Sequence, residues 1–372
     1  MIMRDQQRYS EGSNMKIAYL ALAAFIPLFC NAESQKSGVS ECVGNLNVGF
    51  PDAVEIAANS ADMLIQEHEM GSIQPKFEFS DGERADWTSL SYNGQIFVSH
   101  FLSNEQQKKL LSLQDLSELN AKKIAAKKKK DEKAIVFEEL SLSSAEGVAF
   151  RIGNGFSASI FSGGHMLWAD STIDEDEISK YKKEVLEYPK NISFRELGTV
   201  PNSTGLCFPY FFLKTEPNGD THRRYIAVTY RLKKHPDVTV WIEDSYVKNN
   251  DDKADSLRNV INEFWSQYQS TSTVDKVESQ WKFPSGRKVA IGKNEGLASF
   301  VRITRKSGVI DYGYMATVRG DVRQVKNSSD VKVYVLRKAE NSTRKGIAPV
   351  TAEEFIKLSQ EIVSSINIRW DN

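Results

Sequence analysis

The sequence predicts an α+β fold in two domains, each a mainly antiparallel sheet with packed helices. Three observations carry that expectation. Runs of strand-like segments are interrupted by single amphipathic helices, an order that fits segregated α+β layers better than a doubly wound parallel sheet. The stretch Gly198–Gly205, GTVPNSTG, is the clearest punctuation in mid-chain, and it divides an N-terminal domain, 39–198, from a C-terminal domain, 199–370. The composition is that of a globular chain, with 372 residues, 40% apolar, 26% charged, 22 Gly and 10 Pro. Such values exclude collagen-like and low-complexity sequences. Lys+Arg 48 against Asp+Glu 49 leaves a formal charge of -1, so no overall field favours nucleic acid.

A leader comes first. Residues 15–32, MKIAYLALAAFIPLFCNA, have the layout of a secretory signal peptide. Lys16 supplies the positive start, Ile17–Phe29 the apolar run broken by Pro27, and Cys30 and Ala32 the small residues before a cut. A bilayer span needs about 20 apolar residues. The run is shorter, so no stable membrane insertion is expected after cleavage. Translation is expected to begin at Met15, with residues 1–14 an over-extended start. Lipidation at Cys30 is the other processing route, but it needs a small residue where Phe29 stands.

After the leader, two cysteines remain, Cys42 and Cys207. In an oxidising compartment they predict one disulfide, two unpaired thiols being the alternative. The bridge would close a loop of about 165 residues, worth at most roughly 4–5 kcal/mol in the chain-entropy account.

The elements follow in order. Val43–Phe50 reads as a strand stopped by Pro51, and segments 52–70 and 76–101 as further strand-like stretches that include Gln95–Leu102. Ser103 followed by Gln106 marks a helix start, and the helix is expected over about 104–133. Its first part carries Leu110, Leu111 and Leu113. Its second part is lysine-rich, with Lys122, Lys123, Lys127–Lys130 and Lys133. That run reads as a solvated helix face, or else as a docking surface for an acidic partner or membrane. Strand patterns return over 134–142 and 149–161. Asp174–Glu177 opens a helix with Ile178, Tyr181, Val185 and Leu186 on its apolar face, closed by Pro189.

In the second half, Ile226, Val228, Tyr230 and Leu232 alternate, as do Val238, Val240 and Ile242. Leu257, Ile261, Phe264 and Tyr268 mark an amphipathic helix. Strands are expected over 279–292, 296–304, 309–318 and 331–338. Thr351 with Glu354 is a capping box that opens a last helix with Phe355, Leu358, Ile362 and Ile366 inside.

The search for catalytic chemistry is mostly empty. No Gly-x-Ser-x-Gly elbow occurs, and Gly163-Gly164-His165 reads as a turn between strands. Ser179-x-x-Lys182 and Ser329-x-x-Lys332 match a Ser-Lys spacing without that class's other signatures. His68, His100, His165, His222 and His235 are not paired at ligand spacing, and no Cys-x-x-Cys exists. Gly286–Lys293 resembles a phosphate loop but is one residue too long, with Asn294 where Ser or Thr is required. No catalytic residue, cofactor or metal is predicted. The profile fits an exported protein that works by binding.

Three places together resemble one family. The mature N-terminus carries Cys42-Val43-Gly44-Asn45 followed by Phe50-Pro51, the middle Gly205-Leu206-Cys207-Phe208, and the end EFIKLSQEIVSSINIR up to Arg369. These are similar to the fourth class of type VI secretion lipase immunity proteins. The family usually has Arg where Asn45 stands, so no role of that arginine carries over. The resemblance implies a periplasmic, non-catalytic, two-domain protein; a monomer is expected before binding. Its partner would be a cognate type VI phospholipase effector, neutralised by blocking substrate access. It also implies that the family's paired cysteines map onto Cys42 and Cys207, and it makes the cleft between the domains a place to look for the interface. The competing reading is a periplasmic envelope-binding or scaffold protein.

Overall fold

The computed structural model describes residues 38–369 apart from 72–73, 86, 127–134, 143–145, 173–188, 216–223, 248–256, 282–285 and 322–327. The signal segment 15–32 with Cys30, the start 1–14, Lys127–Lys133 and nearly all of the helix expected from Asp174 therefore lie outside the described residues.

The framework is a 14-stranded sheet whose ladders are antiparallel. From one edge it runs Val274–Ser279, Asn294–Arg305, Ile310–Val318, Ser329–Arg337, Val238–Tyr246 and Arg224–Leu232. It continues through Ser89–Tyr92, Gln95–Val98, His165–Thr172, Gly155–Ser162, Gly147–Ile152 and Phe137–Glu139. Arg287–Ile291 joins beside Asn294–Arg305, and Val54–Ile56 beside Arg224–Leu232. The two sequence halves meet where Arg224–Leu232 pairs with Ser89–Tyr92.

Strand alternation sorts the side chains into two layers. Ile226, Val228 and Tyr230 face the main core, with Val240, Val335, Leu90 and Ile96 on neighbouring strands. Phe355 and Ile362 of the helix Ala352–Ser365 close that layer. On the opposite face two separate helical covers are laid. The helix Leu257–Gln269 buries Ile261, Phe264, Trp265 and Tyr268 against Trp241, Met315 and Tyr334. Far across the sheet, Ala61–Met70 and Asn104–Ala126 bring Leu64, Ile65 and Leu110 onto Phe97, Met166 and Trp168.

Several local readings hold. Thr351 Oγ1 accepts from the Glu354 amide at 3.2 Å. Ser103 and Gln106 cap each other reciprocally, at 3.2 and 3.0 Å. Gly163 and Gly164, at φ 61° and 78°, make the two-residue turn between Gly155–Ser162 and His165–Thr172.

Others are corrected. The strand expected over 43–50 is a hairpin, Val39–Val43 with Leu46–Phe50, because Gly44 at φ 54° allows a two-residue turn. The strand-like stretch 52–70 ends in the helix Ala61–Met70. Its buried Ala61, Leu64 and Ile65 follow helical spacing, and Gly71 stops it at φ 61° with its amide on Glu67 O. The strand expected over 279–292 is Arg287–Ile291, preceded by an unforeseen strand, Val274–Ser279. Also unforeseen is the small sheet of Ile192–Phe194, Gly205–Phe208 and Phe211–Lys214.

Candidate interaction surface

The three motif segments that carried the resemblance converge on one place. Cys42 and Cys207 form a disulfide with their Cα atoms 5.7 Å apart, both buried. Beside it the Gly44 amide donates to the Cys207 carbonyl (2.8 Å), and the Cys207 amide returns a bond to the Gly44 carbonyl (2.9 Å). The Asn45 amide donates to Asp244 Oδ2 (2.6 Å), and Asp244 is paired with Arg224 (3.0 Å). The Arg369 amide reaches the Asn45 carbonyl (2.9 Å), and its guanidinium donates to carbonyls of Ser203 and Pro201. Arg195 donates to Glu41 (3.0 Å) and to the carbonyls of Phe208, Thr199 and Cys42, while Glu41 also accepts from the Gly198 amide.

Both ends of the described stretch and the Gly198–Gly205 loop are thus tied in a polar knot around the disulfide. Burial, and secondarily the nearby Arg195 charge, lowers the Arg369 pKa to about 10. With its hydrogen-bonding capacity turned inward, this knot holds the fold together and offers little to a partner.

The open surface lies elsewhere, between the two helical covers. Across six strands the register sets Asp330, Ser245, Tyr225, Ser91, Gln95 and Asp170 in one row on the same face. At a strand spacing of about 4.8 Å the row is about 24 Å long. Gln95, Asp170 and Tyr225 are exposed, Tyr225 at 37%.

Behind the row, buried Glu243 is satisfied three ways. Tyr225 OH donates to it (3.0 Å), as do Ser245 Oγ (3.0 Å) and Lys332 Nζ (2.9 Å). That carboxylate, with burial as the larger cause, pushes the Tyr225 phenol well above its ordinary range. Burial also raises Asp330, against the Gly320 amide that donates to it at 2.9 Å.

At the other end the row opens into a recess of about 380 Å³ lined by Glu67, Gln95, Phe97, Trp168 and Asp170. The Trp168 ring lies 4.9 Å from Phe97 and 4.2 Å from His68. Burial lowers the His68 pKa to about 4, and the neutral ring faces the Gln114 amide at 2.6 Å. Burial raises the Asp170 carboxyl, an effect opposed by the Ser171 amide. Glu67 Oε2 is buried without a hydrogen-bond partner among the described residues. A larger cavity, about 480 Å³, lies by Thr273, Arg305 and Lys338. Its Arg305 is already engaged by Asp311, Thr273 and Tyr268.

The remaining sequence candidates are dispersed. Ser329 accepts from Arg224, whereas Lys332 reaches Glu243 from the opposite face of the same strand. Gly292-Lys293 is a hairpin turn between Ile291 and Asn294. Lys122 is bound to Glu118 and Glu139, at 2.8 and 2.6 Å. The row and recess were missed. The available signal was the polar half of the alternation, with Tyr225 out of phase with Ile226, Val228 and Tyr230.

The fold is that of type VI secretion immunity proteins. It resembles the apo structure of immunity protein TplEi from Pseudomonas aeruginosa, with a TM-score of 0.55, 13% identity, and 90% of this chain and 98% of that one covered. TplEi complexed with "L" peptide matches at TM-score 0.55 and 14% identity, over 90% and 99% of the two chains. The Tle4-Tli4 complex matches at 0.53 and 13%, over 90% and 98%. Residues 199–371 match the family model described as Tle cognate immunity protein 4 C-terminal domain. A comparison with curated proteins returns no match.

Proposed function

We propose that this chain is the immunity protein of a type VI secretion phospholipase effector, binding it in the periplasm and blocking substrate access without any turnover. The observation that carries this reading is the family match over 199–371. The fold shared over 90% of the chain with TplEi and with the Tle4-Tli4 complex supports it. The leader at 15–32 supports export, and among the described residues no helix is long and apolar enough to cross a membrane. The start of the match at residue 199 supports 39–198 and 199–370 as two domains that share one sheet.

Binding of this kind needs a buried interface of about 1,600 Å² with a few anchoring side chains. The row, with Gln95, Asp170 and Tyr225 exposed, and its recess are the surface we assign to it. The test is a titration of phospholipase activity, using the lipase encoded beside this gene. A sharp break near equimolar ratio is expected. An unchanged rate, with no complex on sizing, would remove the reading and favour an envelope-binding protein.

A further inference from the structure

Within that binding function, we infer that the recess beside Trp168 receives an arginine or lysine side chain of the effector, held between Asp170, Glu67 and the aromatic wall. The opposite end of the same row shows the chemistry completed from within. There the carboxylate of Glu243 is met by Lys332 Nζ at 2.9 Å. At the recess the carboxylates stand without that cation, since no basic residue is among its described lining.

Glu67 lines the recess, but its Oε2 is turned out of water with no donor among the described residues, a cost that rotation of this side chain toward an arriving cation would relieve. Phe97 and Trp168 complete a wall suited to a guanidinium or ammonium, whose charge is attracted by ring faces. Burial raises the Asp170 carboxyl, so a cation placed there recovers a penalty already present in the free protein. From Gln95 in its lining, the row continues in register through Ser91 to Tyr225, a polar row on the scale of a protein interface rather than of a single lipid head group.

The experiment measures effector affinity by titration calorimetry for the wild type and for Asp170→Asn, Asp170→Arg, Glu67→Gln and, as a distant control, Glu340→Gln. Thermal unfolding of each variant runs in parallel. Charge reversal at Asp170 is expected to weaken binding about 100-fold, and each neutral variant about tenfold, the range seen for desolvated interfacial charge pairs. The neutral variants should also show a shallower salt dependence, and Glu340→Gln should bind as the wild type does.

Wild-type binding with all recess variants within about threefold, at the same salt dependence, would overturn this inference while leaving the immunity function in place. No complex with wild-type protein would remove that function and the inference together. Capture of phosphatidylethanolamine vesicles, lost in Asp170→Asn while effector binding stays intact, would assign the recess to a lipid amine and overturn the inference too.

Discussion

The knot around Cys42–Cys207 and the recess around Trp168 use similar chemistry to opposite ends. In the knot, buried charges meet partners inside the chain: Arg195 with Glu41, Arg224 with Asp244. In the recess Glu67 and Asp170 line a hollow without a cation among its described residues. Removing one partner of a buried pair is strongly destabilising, so the knot's residues are committed to folding. In the recess Glu67 Oε2 carries a desolvation cost that nothing among the described residues offsets, while Asp170 is exposed. The difference separates the residues that carry the family resemblance from those through which the protein would act.

The sharpest way to break the knot is to open its covalent tie. Cys42→Ser with Cys207→Ser removes a bridge of sequence separation 165. In the chain-entropy account that is about 5 kcal/mol. Urea unfolding should show the loss as a lower midpoint, and non-reducing mass spectrometry of the wild type should show one joined peptide pair. Two alkylatable thiols in the wild type would contradict the structure.

Next in size is Gly44→Ala. The added Cβ would run into the Asp244 carboxylate, which is held by Arg224 and by the Asn45 amide, and φ at this position is 54°. Strain at a left-handed position together with disruption of a buried pair predicts a loss of about 3 kcal/mol or more. A variant as stable as the wild type would show that the turn can move, and that the knot is looser than its hydrogen bonds imply.

How much of this was legible in the sequence follows the same division. Capping boxes, the Gly163-Gly164 turn and the amphipathic helix from Leu257 are written in local chemistry, within one turn or one helix face. The small sheet of Ile192–Phe194, Gly205–Phe208 and Phe211–Lys214 was missed, because its short strands hold only by pairing with one another. The hairpin at Gly44 was read as one strand, because the apolar residues on both sides of the turn end in the same core. The disulfide was foreseen, since only two cysteines remained. The row from Asp330 to Asp170 is legible only through register, as its members come from six strands spread over more than 200 residues of chain.

Acid separates the regions in another way. The folded state holds the His68 pKa near 4, by burial, against an ordinary 6.5 in the unfolded chain. Between those values the unfolded state takes up a proton that the folded state refuses, so stability falls as pH drops from 6.5 toward 4. At pH 5 the loss from this residue is about 2 kcal/mol. His68→Phe, which keeps a ring beside Trp168, should flatten that part of the stability–pH profile. An unchanged slope would place the proton uptake on another group.

The smallest effect on stability belongs to the recess, and its sign is the informative part. Because burial raises the Asp170 carboxyl, its charge opposes folding above the unfolded pKa of about 3.8. The residue is exposed, so solvent screens most of that penalty. Asp170→Asn should therefore leave stability unchanged or raise it by no more than about 0.5 kcal/mol at neutral pH, read as a small upward shift in melting temperature. A substitution that weakens effector binding while the fold gains is the signature of a side chain kept for its partner at a cost to the free protein. A clear loss of stability in Asp170→Asn would instead make the carboxylate a structural acceptor like Glu243, and the recess an extension of the packed protein rather than an opening in it.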